Sequence, residues 1–346
     1  NTQKQNNLLF KKQNMKRKNL AAKNKVKEIK LIKDSKIIKI YLRFEKIISQ
    51  HIKNKSFALA VSGGADSLSL AYFGKLYSLK FGNKIHVLIV DHKLRKTSSQ
   101  EALKVSKILK KKSIQSNVLT WKGKVPKKNI QNNARNMRYL LMSNYCEKKN
   151  IEYLITAHHL DDQIENFFIR LFRGSGLTGL SSMAESFNYN NFLKIIRPFL
   201  SFKKIELQNI TLKYFKNFIF DPSNEDDKYL RVRVRKIRSS MEKEGLDTSK
   251  IINTINNLFS AHKALSYYKN KALYKHASFL SKNKCQISEK IFTQEAGEII
   301  FKSFSDVFSL ISGKYYPPRS KKIINLINRL KKNVFTKSTL GGCVVE

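Results

Sequence analysis

The hexapeptide Ser62, Gly63, Gly64, Ala65, Asp66, Ser67 has the residue types that hold a phosphate. Two adjacent glycines let a backbone come close to an anion, because no Cβ stands in the way. The hydroxyls of Ser62 and Ser67 add donors. Asp66 can cap the helix that follows or face a metal ion. The loop lacks the GK[ST] ending of the ordinary nucleotide P-loop, so no lysine reaches for a γ-phosphate. A second stretch, His158 to Asp162, sets two imidazoles and two carboxylates ahead of Glu165. On a helix, Asp162 and Glu165 share one face, where they can meet one cationic ligand. His158 can donate to a phosphate or a base, and Arg138 can stabilise charge on a phosphoryl group. Each feature also has a plainer alternative: a glycine turn, acids that favour a helix N-terminus, a core histidine, a surface cation.

The flanking elements put these residues at comparable places. FALAV at 57–61 is a short apolar run with β character, and LSLAYFGKLYSL resumes with helical spacing. A buried strand, a glycine turn and a helix make a phosphate cradle. Ile37 to Ile52 has apolar residues at helical intervals and should pack beside the first strand. Lys84 to His92 reads as a second strand ending in Asp91 and His92, followed by a helix over about 98–112 and a third strand ending at Trp121. A helix over 134–150 carries Arg135 and Arg138. Tyr153 to His159 reads as a fourth strand, and a helix over 160–174 opens with acids and closes with Arg170 and Arg173. This alternation predicts an α/β fold with a doubly wound, mostly parallel sheet, in which ligands bind outside the strand carboxyl ends. Three of those ends carry the motifs. Pro198 should break a strand before the next helix, and DPSN at 221–224 should form a turn. Arg231, Arg235 and Arg238 share one face if 228–241 is helical, and Arg231, Arg233 and Arg235 do if it is a strand; the helix is the preferred reading. From about 245 to 282 a long polar helix leads into a smaller α-rich domain.

Composition bounds the partners. The 346 residues suffice for two domains with real cores, and the hydrophobic fraction of 41% is ordinary. A net charge of +43 suggests a polyanion, nucleic acid before membrane. Lysine outnumbers arginine 54 to 14, which also reflects a compositional bias. Nine of the arginines nevertheless fall between Arg135 and Arg238, a grouping that points to sites needing a planar bidentate donor. Cys146, Cys285 and Cys343 lie far apart, without zinc or iron–sulfur spacing. A reducing cytoplasm is expected, or an organelle if the basic N-terminal arm is a transit segment. Met15 is a candidate start.

The pattern SGGxDS resembles the pyrophosphate loop of the N-type ATP pyrophosphatases (the PP-loop superfamily), which cleave ATP between the α and β phosphates. TAHHLDDQIENFFIRLFRGSGLTGLSSM at 156–183 narrows the resemblance, together with VDHKLR at 90–95, ARNMRY at 134–139, IIRPFL at 195–200, DPSNEDDKYLRVRVR at 221–235, YYPPRS at 315–320 and TLGGC at 339–343. Over roughly 37–346 the chain resembles the tRNA(Ile)-lysidine synthase family. That resemblance implies an adenine nucleotide alpha hydrolase-like, Rossmann-like fold. It also implies a ligase that uses ATP, Mg²⁺, free L-lysine and tRNA(Ile) with a CAU anticodon. ATP adenylates the C2 oxygen of the wobble cytidine, and the lysine ε-amine then displaces AMP. The implied sites are Ser62 to Ser67 for ATP, and Asp66, Arg138, His158, Asp162 and Glu165 for catalysis. Asp66 is further implied as a Mg²⁺ ligand, directly or through water, and Asp162 and Glu165 position the lysine or the cytidine intermediate. Arg173, Arg231, Arg233 and Arg235 are expected to grip tRNA, although Glu225, Asp226 or Asp227 are alternative partners for the last three. A homodimer is left open.

The expected domains are a disordered basic arm over 1–36, a PP-loop catalytic domain over 37–240, a helical linker with a small α-rich domain over 241–335, and a tail at 336–346 that starts a further domain or ends a fragment. Competing readings are tRNA 2-thiolation, small-molecule ligation and a non-catalytic RNA-binding relative. The lack of an obvious sulfur-carrying cysteine, the basic excess and the intact acids speak against them in turn.

Overall fold

The computed structural model describes residues 34–95, 97–123, 130–181, 183–220, 225–314, 317–332 and 337–346. The basic arm up to residue 33, with Met15, and the DPSN turn lie outside the described residues. The chain divides into two compact units: Asn1–Phe172 with Met183–Leu246, and Arg173–Ser182 with Asp247–Glu346.

In the first unit, helix α1 (Ser35–His51) starts where the Asp34 carboxylate accepts from the N–H of Lys36 and Ile37. Its apolar stripe of Tyr41, Phe44 and Ile48 is buried, and Phe44 packs against Phe73 and Phe199. Strand β1 (Phe57–Ala60) then runs into helix α2 (Ala65–Phe81). Twelve of the seventeen residues of α2 are buried, so it is apolar on all sides rather than amphipathic. It ends at Gly82, whose φ of 78° is the left-handed stop that glycine adopts readily. β2 (Ile85–Asp91), α3 (Ser98–Lys110), β3 (Ser116–Thr120), α4 (Ile130–Lys148), β4 (Tyr153–Ile155) and α5 (Leu160–Leu171) follow. A one-turn helix, α6 (Leu177–Leu180), belongs to the second unit. β5 (Ser186–Asn188), β6 (Lys194–Ile196), α7 (Lys204–Phe215) and α8 (Leu230–Lys243) complete the first.

The six strands are ordered β3-β2-β1-β4-β6-β5. All pairs are parallel except β5 with β6. β1 is therefore flanked by β2 on one side and β4 on the other, with Leu59 opposite both Val87 and Ile155. The winding direction reverses there, and a crevice opens at the carboxyl ends of β1 and β4. This is the doubly wound, mostly parallel sheet expected from the alternation of elements. Two details differ. The fourth strand ends at Ile155 rather than His159, because after Thr156 donates to Ile196 O the chain turns into the cap of α5. The antiparallel β5 was not anticipated, since three residues of mixed polarity carry no clear period.

The second unit contains α9 (Thr248–His276), the hairpin β7 (Ala277–Ser281) and β8 (Lys284–Ile287), α10 (Ile291–Gln294), α11 (Gly297–Ser312), α12 (Ser320–Lys331) and a hairpin of β9 (Ser338–Leu340) with β10 (Cys343–Val345). Ile300, Phe304 and Phe308 of α11 pack with Ile323, Leu326 and Ile327 of α12 to form its core. The long helix expected to reach residue 282 stops at His276, whose buried ring lies 3.2 Å from a Glu295 oxygen. The strand signal of 277–287 was hidden by its lysines. Among the described residues no helix is long and apolar enough to cross a membrane.

The contact between α2 and β1 gives a direct test. A Cβ at Gly74 would lie 2.4 Å from Leu59 Cδ1, and Leu59 is fully buried. Gly74→Val is expected to destabilise the protein by about 1–3 kcal/mol through overpacking. The urea midpoint of unfolding measures this, and an unchanged midpoint would show that the interface has slack.

Candidate active site

The glycine loop is closed by its own last serine. Ser67 Oγ accepts from the N–H of Ser62 at 3.2 Å and of Gly63 at 3.1 Å, and donates to the Gly64 carbonyl at 2.9 Å. The Ser62 hydroxyl donates to Ser67 Oγ at 3.3 Å. The sequence offers the hydroxyls of Ser62 and Ser67 as donors to an anion. The structure turns the Ser67 hydroxyl and the Ser62 and Gly63 amides inward, because a loop this tight satisfies its own polar groups first. The amides at the head of α2 have no partner within the helix, the feature by which a helix N-terminus can hold an anion. Gly63 has φ +93°, and a Cβ there would lie 2.4 Å from Val105 Cγ2. Its carbonyl accepts from Ile219 N–H at 2.9 Å, so the loop is tied to the chain beyond α7 as well.

Asp66, in the first turn of α2, joins the loop to the neighbouring strand end. Its Oδ2 lies 3.4 Å from His159 Nε2, while its Oδ1 is buried without a hydrogen-bond partner. An orphaned anionic oxygen beside a phosphate-type loop fits a hard cation such as Mg²⁺. Among the described residues no group of three or more His, Cys, Asp or Glu side chains is arranged around a metal position, so phosphates and water would supply the other ligands.

α5 presents its head to the same crevice. His159 is the N-cap: its Nδ1 accepts from Asp162 N–H at 3.3 Å, and Asp162 Oδ2 accepts from His159 N–H at 3.1 Å. This reciprocal cap leaves the ring proton on Nε2, facing Asp66. Burial works to lower the His159 pKa, but the bond to Asp66 and the charges of Asp162, Asp66 and Asp161 outweigh it and raise the pKa. A second proton would therefore be gained at the expense of the cap. Burial likewise works to raise Asp162, yet the charges of His159 and Arg231 and the bond from the His159 N–H hold its carboxyl below the usual range. His158 is the opposite case: burial drives its pKa down to about 3 against the pull of Asp162, and its Nδ1 lies 2.9 Å from Thr156 Oγ1. It is a neutral imidazole at the strand end.

α8 supplies the countercharge. Arg235 Nε donates to Glu165 Oε1 at 2.5 Å and its Nη2 to Oε2 at 3.3 Å, while Arg231 Nε lies 3.1 Å from Oε2. Arg238 Nη1 donates to Asp161 Oδ1 at 2.8 Å, and Asp161 Oδ2 accepts from Lys204 N–H at 3.0 Å. Arg231, Arg235 and Arg238 share one face of a helix, as the preferred reading of the spacing held, and Val232 and Val234 are buried on another. Their carboxylate partners are not the acids just before them in sequence. Arg233 is exposed and donates to the Asp227 carbonyl at 3.3 Å.

The structure thus gathers Asp66, His158, His159, Asp161, Asp162, Glu165, Arg231, Arg235 and Arg238 at adjacent strand ends. Arg138 is exposed on α4, and Arg173 lies in the segment that groups with the second unit. Sequence reasoning missed His159 as the connecting group and Arg238 as a holder of Asp161. Asp91, also at a strand end, serves the turn after β2: its oxygens accept from Lys93 N–H at 3.1 Å and Ser99 Oγ at 2.7 Å.

The neutral state of His158 predicts a pH effect. The unfolded imidazole takes up a proton below about pH 6.5 and the folded one resists down to about 3, so stability falls as pH drops through that window. His158→Gln should gain on the wild type by on the order of 1–2 kcal/mol on going from pH 7.5 to pH 5. Urea titrations at the two pH values measure it; an equal gap at both would show that the folded protein protonates His158 freely.

Comparison with known proteins agrees with this geometry. A family profile described as a PP-loop domain matches residues 37–240. The tRNA(Ile)-lysidine synthase of Orientia tsutsugamushi (strain Boryong) is 36% identical over 301 residues, covering 85% of this chain and 68% of that protein. The tRNA(Ile)-lysidine synthase of Wolbachia pipientis wMel is 34% identical, covering 89% and 72%. Among solved structures, the U34-tRNA thiolase NcsA of Methanococcus maripaludis with its 4Fe-4S cluster superposes with a TM-score of 0.57 at 17% identity, over 66% of this chain and 81% of that one, which bears on the fold. An inward-braced phosphate loop, an acid-headed helix at the next strand end and these relatives lead to one assignment: the chain belongs to the tRNA(Ile)-lysidine synthases of the PP-loop family.

Proposed function

We propose that this protein ligates lysine to C2 of the wobble cytidine in the CAU anticodon of tRNA(Ile), converting ATP to AMP and pyrophosphate. The observation that carries the reading is the Asp66–His159 contact, which sets the phosphate loop against the acidic head of α5. In the first step the cytidine C2 oxygen attacks the α-phosphorus of ATP. The bond to the bridging oxygen breaks, and pyrophosphate leaves with its charge held by the amides at the head of α2. In the second step the lysine ε-amine, having lost its ammonium proton, attacks C2. The C2–O bond breaks and AMP departs. The product base pairs with A instead of G, so the tRNA reads AUA.

The residues divide these tasks. Asp66, through its unpartnered Oδ1, is the oxygen for Mg²⁺, which when bound offsets phosphate charge. Asp162 and Glu165 are the acids for the lysine ammonium. Neutral His158 is a hydrogen-bonding group for a phosphate or the base, and Arg138 offsets charge on the α-phosphoryl or the adenylated oxygen. Arg173, Arg231, Arg233 and Arg235 contact RNA backbone, which positions the substrate without choosing the base. Thiolation finds no support in the described cysteines: Cys146 is fully buried on α4, and burial pushes its thiol up to about 12.

Two outcomes test this. Asp66→Ala should lower tRNA-dependent pyrophosphate release by about 10²–10³-fold with an unchanged circular dichroism spectrum. Wild-type release by that folded variant would remove Asp66 from the chemistry. Arg233→Gln should weaken tRNA binding and reduce the slope of log K against log salt by about 1, leaving ATP affinity alone. An identical slope would place the RNA footprint on other cations.

A further inference from the structure

We propose that Thr211 is a positioning residue for the phosphate loop: from α7 it holds the Ala65 carbonyl, and through that peptide it aims the Asp66 amide at the phosphates of ATP. The inference rests on the reading of residues 62–67 as the ATP loop. Thr211 belongs to no motif and lies 146 positions from Ala65. It is fully buried, and its hydroxyl donates to Ala65 O at 2.6 Å. Ser69, equally buried, stands beside it, with Oγ 3.4 Å from Thr211 Oγ1. Ser69 Oγ lies 3.1 Å from Ala65 O and 3.2 Å from Leu207 O. Each hydroxyl has one proton to give. With Thr211 on Ala65 O, the Ser69 proton is available to Leu207 O. The two helices then exchange hydrogen bonds: α7 gives to a carbonyl of α2, and α2 gives to a carbonyl of α7.

A carbonyl in the first turn of a helix has an acceptor role already, toward the amide four residues on. Thr211 is therefore not needed to satisfy Ala65 O. What a second donor adds is direction. In a planar trans peptide the C=O of one residue and the N–H of the next point opposite ways. Three successive carbonyls of the loop are held in this manner. Gly63 O accepts from Ile219 N–H at 2.9 Å, Gly64 O from Ser67 Oγ at 2.9 Å and Leu68 N–H at 3.0 Å, and Ala65 O from Thr211. The amides of Gly64, Ala65 and Asp66 are thereby turned away from those partners.

The division of labour is plain. Ser67 braces the middle of the loop from within, while α7 and the chain after it hold the peptides on either side. Of these outer two holds, Ile219 acts through its backbone and Thr211 through a side chain. Donors serve a leaving pyrophosphate when partners behind them keep them within about 10–20° of the productive direction. Thr211 is such a partner, and a substitution can remove it.

Calorimetric titration of ATP with Mg²⁺ into the full chain, without tRNA, tests the inference. Thr211→Val removes the hydroxyl and keeps the branched shape. It should bind ATP about fivefold more weakly than wild type, the effect of one lost hydrogen bond. In tRNA-dependent pyrophosphate release its KM for ATP should rise by a like factor while the KM for lysine is unchanged. Thr211→Ser restores the hydroxyl and should recover most of the affinity. Thr211→Ala takes the place of the valine variant if circular dichroism shows the latter unfolded. Tyr214→Leu is the packing control: Tyr214 stacks on Tyr72 across the same pair of helices, with ring centroids 3.9 Å apart. That variant should lose stability to urea and bind ATP as wild type does. A folded Thr211→Val protein with wild-type ATP affinity overturns the proposal. So does a Tyr214→Leu protein that loses as much ATP affinity as Thr211→Val, because packing alone would then set the loop. If wild type itself binds no ATP, the reading of the loop fails, and the role of Thr211 with it.

Discussion

The hydroxyl of Ser67 is the interaction on which the site depends. It receives two amides and a hydroxyl and gives its proton to the Gly64 carbonyl, so the loop holds its shape without an anion in it. That closure forces Gly63 to φ +93° and brings its Cα against Val105 and Ile219, where no side chain fits. With the loop set, Asp66 stands at the first turn of α2 and meets His159 across the β1–β4 switch point. Donors fixed before the ligand arrives need no reorganisation when charge develops on the leaving pyrophosphate.

A second constraint is charge. The protein as a whole is strongly cationic, with 68 basic and 25 acidic residues. Four of its acids sit together at the strand ends, where a carboxylate without a partner is costly. Each is compensated locally: Asp66 and Asp162 by His159, Asp161 by Arg238 and the Lys204 amide, Glu165 by Arg235 and Arg231. The pairing explains why Asp161 and Asp162 stay below the usual carboxylate range. It also explains why the arginines of an otherwise lysine-rich chain cluster there. A planar guanidinium meets the two oxygens of a carboxylate with a fixed fork of donors, which a lysine ammonium lacks.

Much of this was legible in the sequence because it is local. The strand–loop–helix at 57–81 announces itself by apolar runs around two glycines. The spacing i, i+4, i+7 of Arg231, Arg235 and Arg238 predicted their common face, and the acids after His159 predicted the start of α5. What stayed hidden depends on contacts between distant residues. Arg235 and Glu165 lie 70 positions apart, and nothing near Arg235 ranks that partner above Asp226 or Asp227. The inward turn of Ser67 was equally invisible, since a serine in a phosphate loop has the same letter whether it braces the loop or binds the ligand. The hairpin of β7 and β8 and the edge strand β5 are too short and too polar for their period to stand out.

The strand order carries a consequence for how this chain reaches its native state during synthesis. β1 pairs with β2 after a single helix, but its other edge waits for β4, with Leu59 and Ile155 lying 96 residues apart. At ribosomal rates of roughly 5–20 residues per second, that edge stays open for roughly 5–20 s. The half made of β1, β2 and β3 can condense meanwhile, with α2 covering one face. The crevice itself does not exist until the second half docks. A nascent chain therefore owns a phosphate loop well before it owns the acids that give the loop its purpose, and a ribosome stalled between the two would display an unpaired strand in the middle of what becomes the sheet.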